Sequence, residues 1–455
     1  MEWDRILSPV RLRPDSSLVP SDSLDLRTEF QRDYSKAIFS TPVRRLQDKA
    51  QVFPLEPNDS VRTRLTHSLE VSGLAQDIAG AVAEWLCTQG EISYEQSQSV
   101  RDIAKTAGLV HDIGNPPFGH AGERAISTWF VDHRQHELAR LDEYGSSQLR
   151  EDFLQFDGNA QTFRLLTHLS VLLDFHGYNF TVGTLSAAMK YLAPSHQPRP
   201  QHEYHKAGFF ATENDVVERV REITRTGGAR NPVTYLIEAA DDIVNATVDL
   251  EDAVRKGVLN WERVCHELRS ASGQDSEVEE IVFESEKRVA LSPVKLSPRL
   301  REEVLIQVLR SRIIHRAVPA VVNTFKKRYD DIKEGRYSGE LTQDPAFGSL
   351  VTACKSAAKI AYSTQGVLEL ESMGRKVIHD LLDLFWEAVE DREDGKSFGF
   401  KVYQLTSENY RAVFSHCMCS GGLPELYCKM RFVNDYVAGM TDSFARDLHR
   451  RLMNG

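Results

Sequence analysis

Apolar residues in this chain recur mostly three to five positions apart, the spacing of one buried stripe on a helix. Leu69, Leu74, Ile78, Val82 and Leu86 predict one such helix, and Ile103, Ala107 and Val110 predict another that stops at His111. Pro232 is placed to open a third, with Leu236, Ile237, Ala240, Ile243, Val244, Thr247, Leu250 and Val254 on its inner face. Residues 300–314 and 377–389 carry the same period. Alternating patterns are rare, and Phe398 to Leu405 is the best short strand candidate. The expected fold class is therefore all-α.

Polar stretches interrupt these helices. Residues 132–152 and 270–300 are rich in Glu, Ser, Gln and Arg and are expected to be loops or surface insertions. Pro194 to Pro200 is a further break. The first 30 residues, with their Pro and Ser clusters, are expected to form a poorly ordered or partner-docking arm.

The chain has 455 residues, enough for two or three average domains or one large helical body. A net charge of −11 argues against a general nucleic-acid coat, though not against a local basic groove. The basic runs Lys326-Lys327-Arg328 and His449-Arg450-Arg451 fit solvated helix faces better than such a groove. No uninterrupted apolar stretch reaches the about 18 residues of a membrane span. Met1-Glu2-Trp3-Asp4-Arg5 carries acidic residues and no apolar signal core, so the expected location is the cytoplasm. The six cysteines are expected to be reduced. Cys417, Cys419 and Cys428 cluster, but without the paired C-x-x-C spacing of a zinc site.

Candidate chemistry concentrates in His111-Asp112-Ile113-Gly114-Asn115-Pro116-Pro117-Phe118-Gly119-His120-Ala121-Gly122-Glu123. Arg62 to Ser68 upstream adds His67, and Glu238 to Asp242 downstream adds Asp241. His67 should lie in the first turn of its helix, after Thr66 or a neighbour as N-cap. His111 and Asp112 should close a helix stopped by Gly114 and Pro116. Asp241 should lie mid-helix, at the edge of the apolar face. Ligands from three helices around one point suit a helical-bundle metal site. A His/Asp set suits Mn, Fe, Co, Ni or Zn, and Mg less well. Such an ion can polarise a phosphoryl oxygen and lower the pKa of a bound water, as phosphate-ester hydrolysis requires. Singly, each of these residues has a duller reading: a satisfied core histidine, a solvated aspartate pair, a loop-capping His120. Their order and intervals together carry the assignment.

The order His67, His111-Asp112, Asp241 resembles the HD-domain phosphohydrolases. Arg44 to Leu55, Arg62 to Val71, His111 to Glu123, Phe156 to Gln161, Glu238 to Asp242, Asp249 to Val254 and Asp435 to Asp442 resemble, more narrowly, the bacterial deoxyguanosine triphosphate triphosphohydrolases. The likeness is dense through the first 255 residues and thin over about 260–400. It implies an HD-domain helical bundle with additional C-terminal helices: an N-terminal arm over 1–34, a catalytic core over 35–260, and a region over 261–455 that completes the pocket and an oligomer interface.

The resemblance implies that dNTP and water give deoxynucleoside and inorganic triphosphate, with dGTP preferred. His67, His111, Asp112 and Asp241 carry over as ligands of one divalent ion per site, Mn, Mg, Co or Fe. His120 and Glu123 carry over as the catalytic pair beside the α-phosphate, three residues apart and so on one side of a turn. Arg64, Lys190 and Tyr191 carry over as phosphate contacts. Gln51 and Asp249 carry over as readers of the sugar 3′-hydroxyl, Asp249 lying two turns along the face of Asp241. Many relatives carry Tyr four residues after the metal aspartate; here Asn245 fills that place, takes less space and weakens the case for strict ribose exclusion. The resemblance further implies a tetramer or hexamer, and a nucleotide or single-stranded DNA as a possible effector. Two other readings share the ligand set: an HD phosphodiesterase or nucleotidase for another nucleotide, and a nucleotide-sensing DNA-binding protein without turnover. The His120/Glu123 pair and Asn159-Ala160-Gln161 favour the first function over the former, and the intact ligands with that pair count against the latter.

Overall fold

A computed structural model describes residues 1–13, 25–170, 174–197, 206–273, 275–343, 348–362 and 364–453. Among these the structure is helical, with three isolated β-bridges and no strand. The helices that shape the site are α1 (Arg64–Thr88), α2 (Tyr94–Val110), α3 (Gly119–His133), α4 (Gly158–Arg164), α5 (Pro232–Arg255), α6 (Pro298–Lys333), α7 (Gly348–Tyr362), α8 (Gln365–Glu390), α9 (Glu408–Ser420), α10 (Glu425–Ala438) and α11 (Asp442–Met453).

Local sequence explains where the first of these begin. Thr63 precedes α1, and its N–H donates to the Thr66 hydroxyl at 3.1 Å. Ser93 and Gln96 close a reciprocal capping box at the start of α2. Asn231 accepts from Val233 N–H and Pro232 takes the first position of α5. The predicted α1 stripe holds at Ile78, Val82 and Leu86, but Leu69 is 43% exposed and Val71 and Ala75 are buried instead. Helix α5 is buried almost all round, Glu238, Asp249, Glu251 and Asp252 included. It is a central helix rather than an amphipathic surface one.

Two apolar cores meet at the site. One joins α1, α2, α5 and α6; the other joins α3, α4, α8 and α10. Helices α1 and α2 close tightly because Gly108 faces Ser72, where an added Cβ would come within 3.1 Å of the Ser72 Cα.

Several expectations are corrected. Phe398–Leu405 is a helix: Ser397 accepts from Phe400 N–H at 2.9 Å, and Gly399 and Val402, three apart, are its buried residues. Residues 132–152 contain the helices Gln135–Asp142 and Gln148–Leu154, which bury Leu138, Leu141, Leu149 and Phe153. Residues 270–300 contain the helix Ser276–Ala290, anchored by Val278, Ile281, Val282 and Val289. In both, a few apolar residues at helical spacing outweigh the many charged ones. Of the expected N-terminal arm, Trp3, Ile6 and Leu7 are buried in the first core, and the described start is therefore packed rather than loose. Residues 29–34 of the same arm belong to the helix Glu29–Ile38, which buries Phe30 and Asp33. Residues 14–24 lie outside the described residues, as do 198–205 beyond Pro194. Cys417 and Cys428 form a disulfide between α9 and α10, against the expected reduced set, because the turn between these helices brings their Cα atoms to 6.1 Å. Arg328, Arg450 and Arg451 lie on exposed helix faces, as expected of solvated basic runs.

A buried charge cluster ties α4 to α10. The Asp435 carboxylate accepts from Arg164 Nε at 2.8 Å and Nη2 at 2.6 Å, from Gln161 Nε2 at 3.1 Å and from Arg431 Nε at 3.2 Å. Removing one partner of such a cluster strands buried charge. Asp435→Ala is expected to lose about 3–5 kcal/mol of stability, and Asp435→Asn less. Urea unfolding checks this; a loss below about 1 kcal/mol in the alanine variant would refute the role.

Candidate active site

Helix termini place the central cluster. His67 sits in the first turn of α1, His111 is the residue that ends α2, Asp112 follows it, and Asp241 lies midway along α5. Among the described residues, His67, His111 and Asp112 form one grouping whose ligand atoms lie within 4.8 Å of one another. Asp241 Oδ1 lies 3.1 Å from His67 Nε2 and 3.5 Å from His111 Nε2, and His111 Nε2 lies 3.7 Å from Asp112 Oδ1. His111 Nδ1 bonds the Gly108 carbonyl at 2.7 Å, which turns its Nε2 towards the other three residues.

The electrostatics favour added positive charge. Burial pulls the His111 pKa down, but Asp112 and Asp241 outweigh it and raise it to about 9. Burial raises the Asp112 carboxyl, yet Arg64 and His111 hold it well below the usual range. Asp241 is held low in the same way by His111 and His67. A half-buried pair of ionised carboxylates facing two imidazole nitrogens fits a divalent cation, which can replace the proton that His111 otherwise retains.

The second group stands on α3. Phe118, with φ of 63°, turns the chain into that helix, and His120 Nδ1 meets Glu123 Oε2 at 2.7 Å. Gly158 N–H donates to Glu123 Oε1 at 2.8 Å, so both carboxylate oxygens are held. An added Cβ at Gly158 would lie 2.9 Å from that oxygen, so the approach needs glycine. Burial raises the Glu123 carboxyl, but His120, Lys206 and the Gly158 N–H bring it below its ordinary value. The His120 side chain is 70% exposed and its partner's 11%.

Both groups line one cavity of about 470 Å³, within the usual range for a ligand site. Around it lie all the residues expected from sequence. Arg64 is buried and its Nη1 pairs with Asp112. Lys190 Nζ lies 2.5 Å from Glu238 and 3.6 Å from Asp241 Oδ2, with buried Tyr191 beside it. Burial lowers the Lys190 pKa, but Glu238 and Asp241 outweigh it and hold it well above its ordinary value. Asn245 Nδ2 donates to Asp241 Oδ1 at 2.7 Å, and its Oδ1 accepts from Gln51 Nε2 at 2.9 Å. Asp249 Oδ2 accepts from the Tyr362 hydroxyl at 2.5 Å. Burial pushes the Asp249 carboxyl up to about 6, against that hydrogen bond. A larger cavity, about 830 Å³, lies by His168, His416 and the Cys417 end of α9. It holds none of the clustered residues, and chemistry rather than size selects the smaller one.

The sequence reading missed Lys206, Lys355, Lys359, Tyr362 and Glu371, which line the same cavity. Lys206 pairs with Asp157 at 2.9 Å. None of the five stands in a segment that resembles the family, so no local signal marked them.

Two family descriptions match the chain: the HD domain over residues 64–156 and the phosphohydrolase-associated domain over 424–451. The chain is 32% identical to a deoxyguanosinetriphosphate triphosphohydrolase-like protein of Listeria monocytogenes over 99% of both chains. It is 33% identical to a protein of that name from Synechocystis, again over 99% of both. It is 32% identical to the deoxyguanosinetriphosphate triphosphohydrolase of Salmonella typhi over 93% of both. With a His/Asp cluster at the seam of two helical cores, this near full-length likeness shows that the chain belongs to the deoxyguanosinetriphosphate triphosphohydrolase family, hydrolases of the HD phosphohydrolase type.

Proposed function

We propose that this protein hydrolyses dNTPs, dGTP foremost, to deoxynucleoside and inorganic triphosphate. The observation that carries this reading is the convergence of the His/Asp cluster, the His120–Glu123 pair and the polar residues Gln51, Asn245 and Asp249 on one cavity. His67, His111, Asp112 and Asp241 would hold one divalent ion, Mn, Mg, Co or Fe, which supplies Lewis acidity toward the phosphate and the attacking water. Water adds to the α-phosphorus as the bond to the sugar 5′ oxygen breaks. Glu123 fixes His120 through Nδ1, and the ring's Nε2 carries the proton that the leaving 5′ oxygen needs. Arg64, Lys190, Tyr191 and Lys206 orient and neutralise the triphosphate.

Gln51 and Asp249 take the sugar end. Asp249 Oδ1 and Gln51 Oε1 are buried acceptors without a partner, which a sugar hydroxyl can satisfy. Asp249→Ala is expected to raise KM for dGTP about tenfold and to erase the preference for dGTP over its 2′,3′-dideoxy analogue. An unchanged preference would remove Asp249 from this role. Asn245, joined to both Gln51 and Asp241, leaves more room at C2′ than a tyrosine would. Glu371 on α8 lines the same cavity, with Arg124 3.4 Å from one of its oxygens. A carboxylate can take both N–H donors on the Watson–Crick edge of guanine, a pair the other bases lack. Glu371→Gln should cut the kcat/KM ratio of dGTP over dATP by about tenfold; a ratio that stays put assigns the base to other residues.

Residues 35–260 serve as the catalytic core and 261–455 complete the pocket, since α7 and α8 bring Lys355, Tyr362 and Glu371 to it. A cytoplasmic homo-oligomer, a tetramer or hexamer, with a nucleotide or single-stranded DNA effector completes the proposal. No helix among the described residues is long and apolar enough to cross a membrane. The deciding experiment incubates the protein with each dNTP and rNTP plus Mn or Mg and identifies the phosphate released. Triphosphate, mainly from dGTP, supports the reading. Pyrophosphate or monophosphate would replace it with an HD phosphodiesterase or nucleotidase.

A further inference from the structure

We infer that Asp442 is a positioning residue of the reaction, one buried carboxylate that sets His120 and Gln51 relative to each other. The inference rests on the roles proposed above for those two residues. Asp442 opens α11 and is 2% exposed. Its Oδ1 accepts from Phe118 N–H at 2.9 Å and its Oδ2 from Ala50 N–H at 3.0 Å. These donors belong to segments far apart in sequence. Phe118 is the left-handed residue on which α3 starts, two positions before His120. Ala50 is the immediate neighbour of Gln51.

Both segments are held by the same stretch of the C-terminal region. Buried Lys49 donates to the Asn115 carbonyl and, at 3.3 Å, to the Ala438 carbonyl. Arg45 Nη1 donates to the Gly439 carbonyl at 3.0 Å, and Ser443 Oγ donates to Asp48 at 2.9 Å. A carboxylate is costly to bury, and this one has Lys49 and Arg64 as cationic neighbours. What a carboxylate offers here is two acceptor oxygens of one charge, one for each N–H. An asparagine of the same size can satisfy only one of them and turns an NH2 group on the other. Movement of either backbone segment then misaligns its site residue, and small misplacements cost catalysis heavily.

The test compares Asp442→Asn with Leu448→Ala, a buried apolar position further along α11. Each purified variant is assayed with dGTP and 2′,3′-dideoxyGTP, titrated with Mn, and melted. Asp442→Asn should lower kcat on dGTP about tenfold and the dGTP-to-dideoxyGTP ratio of kcat/KM about threefold, while Mn affinity stays within about twofold. Leu448→Ala should lower Tm and leave kcat and the ratio alone. The inference is overturned if Asp442→Asn keeps both quantities near wild type, or if Leu448→Ala reproduces both losses. Wild-type protein that hydrolyses no dGTP overturns the functional reading itself, an outcome distinct from a fully active Asp442→Asn.

Discussion

Asp241→Asn is expected to abolish hydrolysis, lowering kcat by at least about 10³-fold, because Asp241 is where the site's contacts meet. One oxygen faces His67, His111 and Asn245; the other faces Lys190. An amide keeps the volume but removes the charge, and its NH2 cannot ligate a cation. Mn titration should show the affinity lost along with turnover, and His67→Ala should behave alike. The same site predicts a pH dependence. The His111 pKa stands at about 9 while no metal is bound, above its ordinary 6.5. Protons therefore compete with metal below about pH 9, and Mn affinity should rise as pH climbs from 6.5 towards 9, by up to about tenfold per unit. The raised value also stabilises the metal-free fold. That contribution is fully present below 6.5 and is lost as pH rises through 9. Asp241→Asn protein that binds Mn normally and turns over dGTP would refute the centre as drawn.

His120→Ala is the second large effect. It should lower kcat by about 10²–10⁴-fold, the range for losing a positioned general acid or base. KM and Mn affinity should change little, since His120 lies outside the His/Asp cluster. Stability should also hold, because the ring is largely exposed and pairs with Glu123. Glu123→Gln should lower kcat too, but with a stability cost, because that carboxylate is buried and anchors Gly158 N–H. Steady-state kinetics and melting curves separate the two. A His120→Ala enzyme with kcat within about threefold of wild type would remove His120 from the chemistry.

The site was legible in sequence wherever its residues fall on regular local structure. His111 and Asp112 sit where α2 runs out, and the following Gly114 and Pro116 mark that end. The spacing of His120 and Glu123 produced the expected contact, since three residues span just under one helical turn. Where local pattern misled, burial explains it. Alternation in Phe398 to Leu405 resembles a strand, yet Ser397 caps a helix there and only one narrow face is buried. Leu69 shares the period of its neighbours but falls on the exposed side of α1.

The amino-acid sequence by itself determined the helical class, the end of α2 at His111, the start of α5 at Pro232 and the order of the ligand-type residues. Periodicity, caps and breakers act over a few residues, so a single chain displays them openly. Only the tertiary structure decided that Lys206, Tyr362 and Glu371 face the cavity, that Cys417 meets Cys428, and that Asp442 holds Phe118 and Ala50 together. The disulfide joins residues 11 apart and the Asp442–Ala50 contact residues 392 apart. They depend on which helix faces meet when the two cores close, a choice made by packing over the whole chain rather than by any short stretch of it.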